Sequence, residues 1–407
     1  MASTPTRTRG PVVPPRPGTP EKKRPTKFQY WRRRFVLILL AVTLVVMSYW
    51  GVTLVMYLRN PSYGVSMSAR AAEWGRDHGF GFVVTLVEKI NYDLNPPKVG
   101  GRPPSSAFGG GSGGTAHLNA PARVVSPAGT WLPDEGVWHP VGRQAKGHVP
   151  AMYDAFVRED TIHTSYVAGL VWMDPKLLST TLYSGSYIPG GGPYSHSAPI
   201  TPLASRSLVG AFNAGFRMPD ANGGYYTDGH TVLPLRVGAA SVVVYKNGDA
   251  TVGAWGHDVS MTPQVASVRQ NLDLIVDGGK PNPSLNANDN AQWGATLGGG
   301  AYVWRSALGV TATGALVYAA GPTLSITSLA NLMVNAGCVR AMELDINPDW
   351  VQYSIYHGPV GATVDGSRGT RLLSNMVGSP SRYFESWWSR DFFTVSLRPS
   401  AISTTTK

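Results

Sequence analysis

Apolar and polar positions divide the chain into three textures. Residues 35–58 form a run of 24 residues with no acid or base apart from the hydroxyls of Tyr49 and Tyr57. At ~1.5 Å per residue such a run predicts a helix roughly 36 Å long, enough to cross a ~30 Å hydrocarbon core with some tilt. Tyr30 and Trp31 before it, and Trp50 and Tyr57 toward its end, suit the aromatic belts of a bilayer interface. The run is longer than the ~7–15 apolar residues of a signal peptide, and it leads into Tyr57-Leu58-Arg59-Asn60-Pro61 rather than a small-residue cleavage site. A retained membrane anchor is therefore expected.

The second texture covers residues 59–130. Helical spacing over 66–92, interrupted by Gly79 and Gly81, predicts one or two short helices that form a stalk or lie on the membrane surface. Residues 95–130 are dominated by Pro, Gly and Ser, as in Pro96-Pro97, Pro103-Pro104 and Gly109-Gly110-Gly111-Ser112-Gly113-Gly114. That composition predicts a flexible linker holding the next part off the bilayer.

From 131 to 400 short apolar runs alternate with turn residues. Strands are expected over 161–173, 207–213, 241–245, 250–255, 301–310, 315–320 and 339–345. Lys246-Asn247-Gly248-Asp249 and Thr311-Ala312-Thr313-Gly314 read as hairpin turns, the first through an Asn-Gly pair that accepts positive φ. Leu329, Leu332, Met333 and Ala336 follow i, i+3, i+4, i+7 and predict a helix over 328–336, stopped by Gly337. No repeat of 20–50 residues is present, which disfavours a propeller or solenoid. The fold class expected is α+β: a β-rich, mixed-sheet extracytoplasmic domain preceded by one N-terminal transmembrane helix. The boundaries expected are a disordered basic tail at 1–34, the span at 35–58, a helical stalk at 59–94, the linker at 95–130, the domain at 131–400 and a tail at 401–407.

Charge sharpens the topology. The chain of 407 residues carries 35 Lys+Arg, 24 Asp+Glu and a net charge of +11. Residues 1–34 account for +9 of this and the remainder is only +2. The excess beside an apolar span places the tail in the cytoplasm and the rest outside the cell membrane. Nucleic acid is not an expected partner, because the working domain is almost neutral. Gly (47) and Pro (32) argue against a helical bundle. The single cysteine, Cys338, excludes an intramolecular disulfide scaffold and a multi-cysteine zinc site.

Candidate chemistry concentrates in four stretches. In Ala341-Met342-Glu343-Leu344-Asp345-Ile346-Asn347-Pro348-Asp349, alternation on a strand sends Glu343 and Asp345 to one face. Two carboxylates together suit acid/base work or a cation. In Val303-Trp304-Arg305-Ser306, Arg305 interrupts an uncharged strand and could hold a phosphate from a cleft-facing position. In 210–230, Asn213 followed by Gly215, Phe216, Arg217 and the Tyr225–Asp228 turn offers amides beside aromatics, as sugar recognition uses. Asp277 ends the apolar run Leu274-Ile275-Val276, and Gly278-Gly279 and Gly298-Gly299-Gly300 would permit close backbone approach to a ligand. Walker, dinucleotide and Gly-x-Ser-x-Gly motifs are absent, and no cofactor is expected. Asn286-Ala287-Asn288-Asp289-Asn290 lacks the closing Gly and Glu of a calcium loop, so no metal is expected there.

Taken in order, Asn213-Ala214-Gly215-Phe216, Arg305-Ser306-Ala307-Leu308-Gly309-Val310, Ser328-Leu329-Ala330 through Ala336-Gly337-Cys338, and Ala341-Met342-Glu343-Leu344-Asp345 resemble the phosphodiester glycosidase family over roughly 205–350. The family's pattern continues after the aspartate as Gly-Gly-Gly-Ser and has Asn where this chain has Glu343; here Ile346-Asn347-Pro348-Asp349 follows. Pro348 has no N–H, so part of the amide supply of a Gly-rich turn is lost. The resemblance implies site roles for Arg305 and Asp345. The reading it leads to is an anchored hydrolase acting on a sugar 1-phosphodiester or related cell-envelope glycan. Asp345, Glu343 and Asp277 are the catalytic candidates. Asn213, Arg305, Asn347 and Asp228 are the substrate-binding candidates, with Asp277 or Asp228 as second carboxylate if Glu343 and Asp345 stand too close. The alternative is a non-catalytic glycan-binding or scaffold protein with the same fold. Sugar identity and oligomeric state stay open.

Overall fold

A computed structural model describes residues 26–108, 121–286, 292–294 and 300–402. The tail up to residue 25, the Gly109–Gly114 run, Asn288-Asp289-Asn290 and Gly298-Gly299 lie outside the described residues. The chain divides into two units, Met1–Val55 and Met56–Lys407.

The first unit is dominated by helix α1 (Lys27–Arg59), 33 residues with none buried. It is long and apolar enough to cross a membrane. It begins earlier than the apolar run because Lys27 and Arg32-Arg33-Arg34 are good helix formers with no breaker among them.

In the second unit, α2 (Met67–Asp77) is capped by Ser66, whose side chain accepts from the Ala69 N–H. Helix α3 (Gly81–Leu94) follows after a turn at Gly79, φ 82°. Strands then build three antiparallel sheets. The largest runs β1 (His139–Val141), β2 (Met152–Arg158), β3 (Val167–Met173), β14 (Leu316–Leu324), β13 (Val303–Thr311), β15 (Cys338–Glu343), β11 (Leu274–Asp277), β12 (Lys280–Pro281) in spatial order. The second runs β7 (His230–Leu233), β6 (Tyr225–Thr227), β10 (Val265–Gln270), β8 (Ala240–Tyr245), β9 (Ala250–Ala254). The third runs β17 (Gly369–Arg371), β16 (Tyr353–Tyr356), β5 (Leu208–Asn213), β18 (Phe392–Leu397), β4 (Leu178–Tyr183). A single turn, α4 (Pro202–Ser205), precedes β5, and α5 (Ile326–Asn335) links β14 to β15.

Period-2 alternation decides the layers. Leu308 and Val310 of β13, with Tyr318 of β14 and Met342 of β15, join the central core with Val242, Phe212, Tyr353 and Phe393 of the two smaller sheets. Their sequence neighbours Ala307, Val317, Ala319 and Ala341 face the opposite side, where Ile326, Leu329, Leu332 and Met333 of α5 cover them. Helix α5 carries a capping box between Ser325 and Ser328 and stops at Gly337, φ 84°. Both expected hairpins are present, with Gly248 and Gly314 at positive φ. The strand expected over 161–173 is shorter, because Thr161–Tyr166 forms turns in which Asp160 accepts from the Ile162 and His163 amides.

The linker and stalk differ from expectation. Phe108 is buried in the central core and Val124 in the core beneath α5. The Gly100 N–H donates to Ile162, and the Trp138 indole donates to Ala122. Both described ends of the Pro/Gly/Ser segment are thus part of the domain, held by two large apolar side chains amid turn residues. The stalk helices also pack on the domain: Glu73 and Asp77 of α2 each pair with Arg217 at 3.0 Å.

Candidate active site

Three chain segments that leave β5, β10 and β15 converge with the segment entering β18. There Phe216, Arg217, Leu272, Asp345, Ile346, Asn347, Trp350 and Arg390 line a cavity of ≈ 440 Å³, closed on the other side by Glu73 and Arg76 of α2 and Gly81 and Thr85 of α3.

Asp345 is the carboxylate that the core delivers to this cavity. Strand β15 ends at Glu343, so the alternation that would have put the two acids on one face stops there. Leu344 enters the central core and donates its N–H to the Ser306 carbonyl, while the Asp345 carbonyl accepts from the Ser306 N–H and hydroxyl and the Asp345 N–H donates to that hydroxyl. The side chain turns back on its own segment: Oδ1 accepts from the Ile346 and Asn347 amides at 2.8 and 2.9 Å. Burial pushes its carboxyl up to about 7, against the opposing pull of Arg390 and these two amides. It therefore exchanges a proton near neutral pH.

Glu343 and Arg305 do not line the cavity. Arg305 is 1% exposed and donates through Nη1 to Glu343 and through Nε to the Leu324 carbonyl, 2.9 Å away. Glu343 sits opposite Ala307 on β13, on the face that α5 covers. The expected cleft-facing phosphate arginine is thus a buried partner of Glu343, placed inward by the same alternation that packs Ala307 under α5. Burial raises the Glu343 carboxyl's pKa, and Arg305 opposes that shift.

The remaining candidates separate. Asn347 lines the cavity and accepts from the Asp349 amide at 2.9 Å. Asn213 is buried at the junction of β5 and β13, donating to Ser306 and accepting from Tyr318 and the Gln352 N–H. With those bonds it fixes the strand that aims Phe216 and Arg217, rather than facing the cavity. Asp228 stands at positive φ in the β6–β7 turn and accepts from the Ser195 amide at 2.8 Å. Asp277 is largely exposed near Arg340, 3.7 Å away. Neither lines the cavity, so neither stands beside Asp345 as a second carboxylate.

The charged residues that do accompany Asp345 went unselected in the sequence. Arg390 is buried, stacks over the Trp350 ring at 4.3 Å and lies 3.9 Å from Glu73. Its Nη1 has no hydrogen-bond partner among the described residues. Burial lowers its pKa, with Asp345 and Glu73 acting in the other direction. Arg217 meets Glu73, Asp77 and Asp220, each at 3.0 Å. Behind them Arg269 and Asp391 form a wholly buried pair at 2.6 Å, and Asn271 links the Phe216 amide to the carbonyls of Glu343 and Leu344. The adjacent charges Arg390-Asp391 after Trp387-Trp388 were the available sequence signal, since charges amid aromatics seldom lie idle. Nothing local marked Glu73 as reaching across 144 residues to Arg217.

Residues 206–345 match the family model described as phosphodiester glycosidase. No curated protein matches. Among solved structures the chain is similar to the zebrafish N-acetylglucosamine-1-phosphodiester α-N-acetylglucosaminidase catalytic domain, auto-inhibited by its pro-peptide. That likeness has 14% identity over 65% of this chain and 89% of the other, with a TM-score of 0.40. A hypothetical protein from Synechocystis follows at 13% identity, 62% and 63% coverage and TM-score 0.31. A putative exported protein from Burkholderia pseudomallei has 14% identity, 57% and 74% coverage and TM-score 0.25. The matched stretch begins just before β5 and ends at Asp345, so it spans the core strands that converge on the cavity. Over residues 206–345 the chain is therefore similar to the phosphodiester glycosidase family.

Proposed function

We propose that the chain is a membrane-anchored, extracytoplasmic hydrolase that cleaves the glycosidic bond of a sugar 1-phosphodiester or related cell-envelope glycan in the cavity around Asp345. The observation that carries this reading is a cavity lined by both a buried carboxyl, which burial pushes up to about 7, and a buried arginine whose Nη1 has no hydrogen-bond partner among the described residues. The family match over 206–345 supports the reaction class.

Arg390, with Arg217, holds the anionic phosphate, a task that suits a rigid planar donor set. A phosphate ester is a good leaving group at C1 and needs little help from an acid. Asp345 in its ionised form takes the proton of a water whose oxygen attacks C1. The bond from C1 to the phosphate oxygen breaks, and the departing negative charge is met by the arginines. Asn347 and the Trp350 ring contribute a polar and an apolar contact to the sugar. Arg305, Glu343 and Asn213 support the strands that carry Asp345, Phe216 and Arg217; Asp277 and Asp228 have no part in this reading. Hydrolysis assays on envelope-derived glycosyl phosphodiesters test it. Unchanged turnover in Asp345→Asn removes Asp345 from the mechanism.

The second reading, a non-catalytic glycan binder, draws on the occupation of Glu343 by Arg305, which leaves Asp345 without its strand neighbour as a catalytic partner. Both readings predict glycan affinity. Binding without product across a broad panel selects the second.

A further inference from the structure

We propose that the outward face of α3 rests in the headgroup–acyl boundary of the membrane that holds the N-terminal helix, and that the substrate is a sugar phosphodiester whose second ester carries a lipid. The chemistry of that substrate rests on the hydrolase reading above.

Helix α3 is turned opposite to a helix of a water-soluble domain, which buries its apolar stripe. Phe82, Val83, Leu86, Val87, Ile90 and Leu94 are exposed, with Phe82 at 73% and Leu94 at 75%. At about 100° per residue these six occupy one arc of about 140°. The inward side is small or polar: Gly81 and Thr85 line the cavity, and Glu88 pairs with Arg76 at 2.7 Å. Lys89 and Asp93 pair at 3.1 Å across the Phe82 edge of the stripe, Lys89 about 20° outside it and Asp93 about 20° inside. An apolar face with a polar back is the pattern of an interfacial helix, held by apolar burial rather than by basic charge.

Chain continuity selects a bilayer as the occupant of this face. Only residues 60–80 separate Arg59, the last residue of α1, from the first residue of α3. If α1 crosses a membrane, α3 is tethered within reach of that membrane's surface. Two cavities also meet under α3. The one holding Asp345 and the arginines shares Ile346 with a second of ≈ 380 Å³, lined in part by Tyr92, Tyr302, Val303, Trp304 and Pro348. A charged chamber that shares a wall with one lined largely by aromatic, proline and apolar side chains, with Glu88, Asn91 and Asn95 at its α3 side, fits a molecule with a sugar phosphate head and a hydrocarbon tail. The tail leaves along the helix that faces the bilayer.

The test uses the full chain in phosphatidylcholine/phosphatidylglycerol nanodiscs. Leu86→Cys, Leu40→Cys in α1 and Lys146→Cys on the domain surface are each labelled with a fluorophore; the native Cys338 is buried. Doxyl-labelled phosphatidylcholine should quench the labels at positions 86 and 40 and spare the one at 146. Quenching at 40 but not at 86 overturns the docking of α3 while leaving the anchor in place. In a second arm, one glycosyl phosphodiester head is offered on a polyprenyl tail and as its methyl ester. The lipid-linked form should have the higher kcat/KM by about tenfold or more, and Leu86→Glu with Ile90→Glu should erase that preference without changing methyl-ester turnover. Equal kcat/KM for both forms in the unaltered chain overturns the lipid-linked substrate and leaves the hydrolase reading standing. Turnover of neither form defeats the hydrolase reading and the lipid substrate together, and quenching alone then decides the membrane seat.

Discussion

At the residue scale, the environment of Asp345 makes two linked predictions. Burial pushes its carboxyl up to about 7, so under the proposed mechanism the rate should rise with pH through that value as Asp345 ionises. Asp345→Asn should cut kcat by roughly 10²-fold or more, read in initial-rate assays on glycosyl phosphodiesters. Stability should move the other way. A carboxyl raised in the folded state favours folding most at low pH and loses that advantage as pH rises from about 4 through about 7. Asn mimics the neutral form and keeps an oxygen for the two amides. Asp345→Asn should therefore melt higher than the unaltered chain at pH 8 and show no such gain near pH 4. Arg305 gives the contrasting case. Removing one member of a buried pair leaves a stranded charge and costs about 3–5 kcal/mol. Arg305→Ala should lower the melting temperature by several degrees, whereas a phosphate-holding role would raise KM in a fold of unchanged stability.

At the element scale, α2 carries the most informative side chain. Glu73 stands against Arg217 at 3.0 Å, Arg76 at 3.6 Å and Arg390 at 3.9 Å, where an anionic substrate would seek the same donors. Glu73→Gln should lower KM for an anionic substrate several-fold with little change in kcat, measured across a salt series, since charge competition weakens as ions screen it. Helix α5 acts by contrast only through packing. Gly309 on β13 lies beneath it, where an added Cβ would come within 2.7 Å of Cys338 Sγ and 2.8 Å of Met333 Cε. Gly309→Ala should destabilise the chain by about 1–3 kcal/mol in denaturant unfolding and leave KM unaltered.

At the scale of the whole molecule, the working unit reaches well ahead of residue 131. Phe108 and Val124 fill two different cores, and α2 and α3 wall the cavity. A chain beginning at residue 131 should unfold at lower denaturant concentration than one beginning at residue 60, since deleting one buried Phe alone costs about 3–5 kcal/mol. Composition concealed this extension. Pro, Gly and Ser dominate 95–130, and a single Phe or Val among them carries no periodicity, yet each fills a space that other segments create.

Local pattern was sufficient for the elements. The apolar run at 35–58, the two Gly-containing hairpins, the i, i+3, i+4, i+7 stripe of α5 and its glycine stop each depend on residues a few positions apart, so the sequence determined them. The order of Arg305-Ser306-Ala307, the α5 helix and the stretch from Ala341 to Asp345 likewise carried the family resemblance. The site was only partly legible. Asp345 and Asn347 were readable as polar residues at a strand end, and both line the cavity. Whether Arg305 and Glu343 faced that cavity or α5 turned on where β15 stops and which side the helix covers, facts that reside in the packing of three segments. Arg390, Arg217 and Glu73 meet because three distant parts of the chain are brought together, and burial then sets the protonation of Asp345. Desolvation and long-range charge have no sequence spacing, and for that physical reason only the tertiary structure decided them.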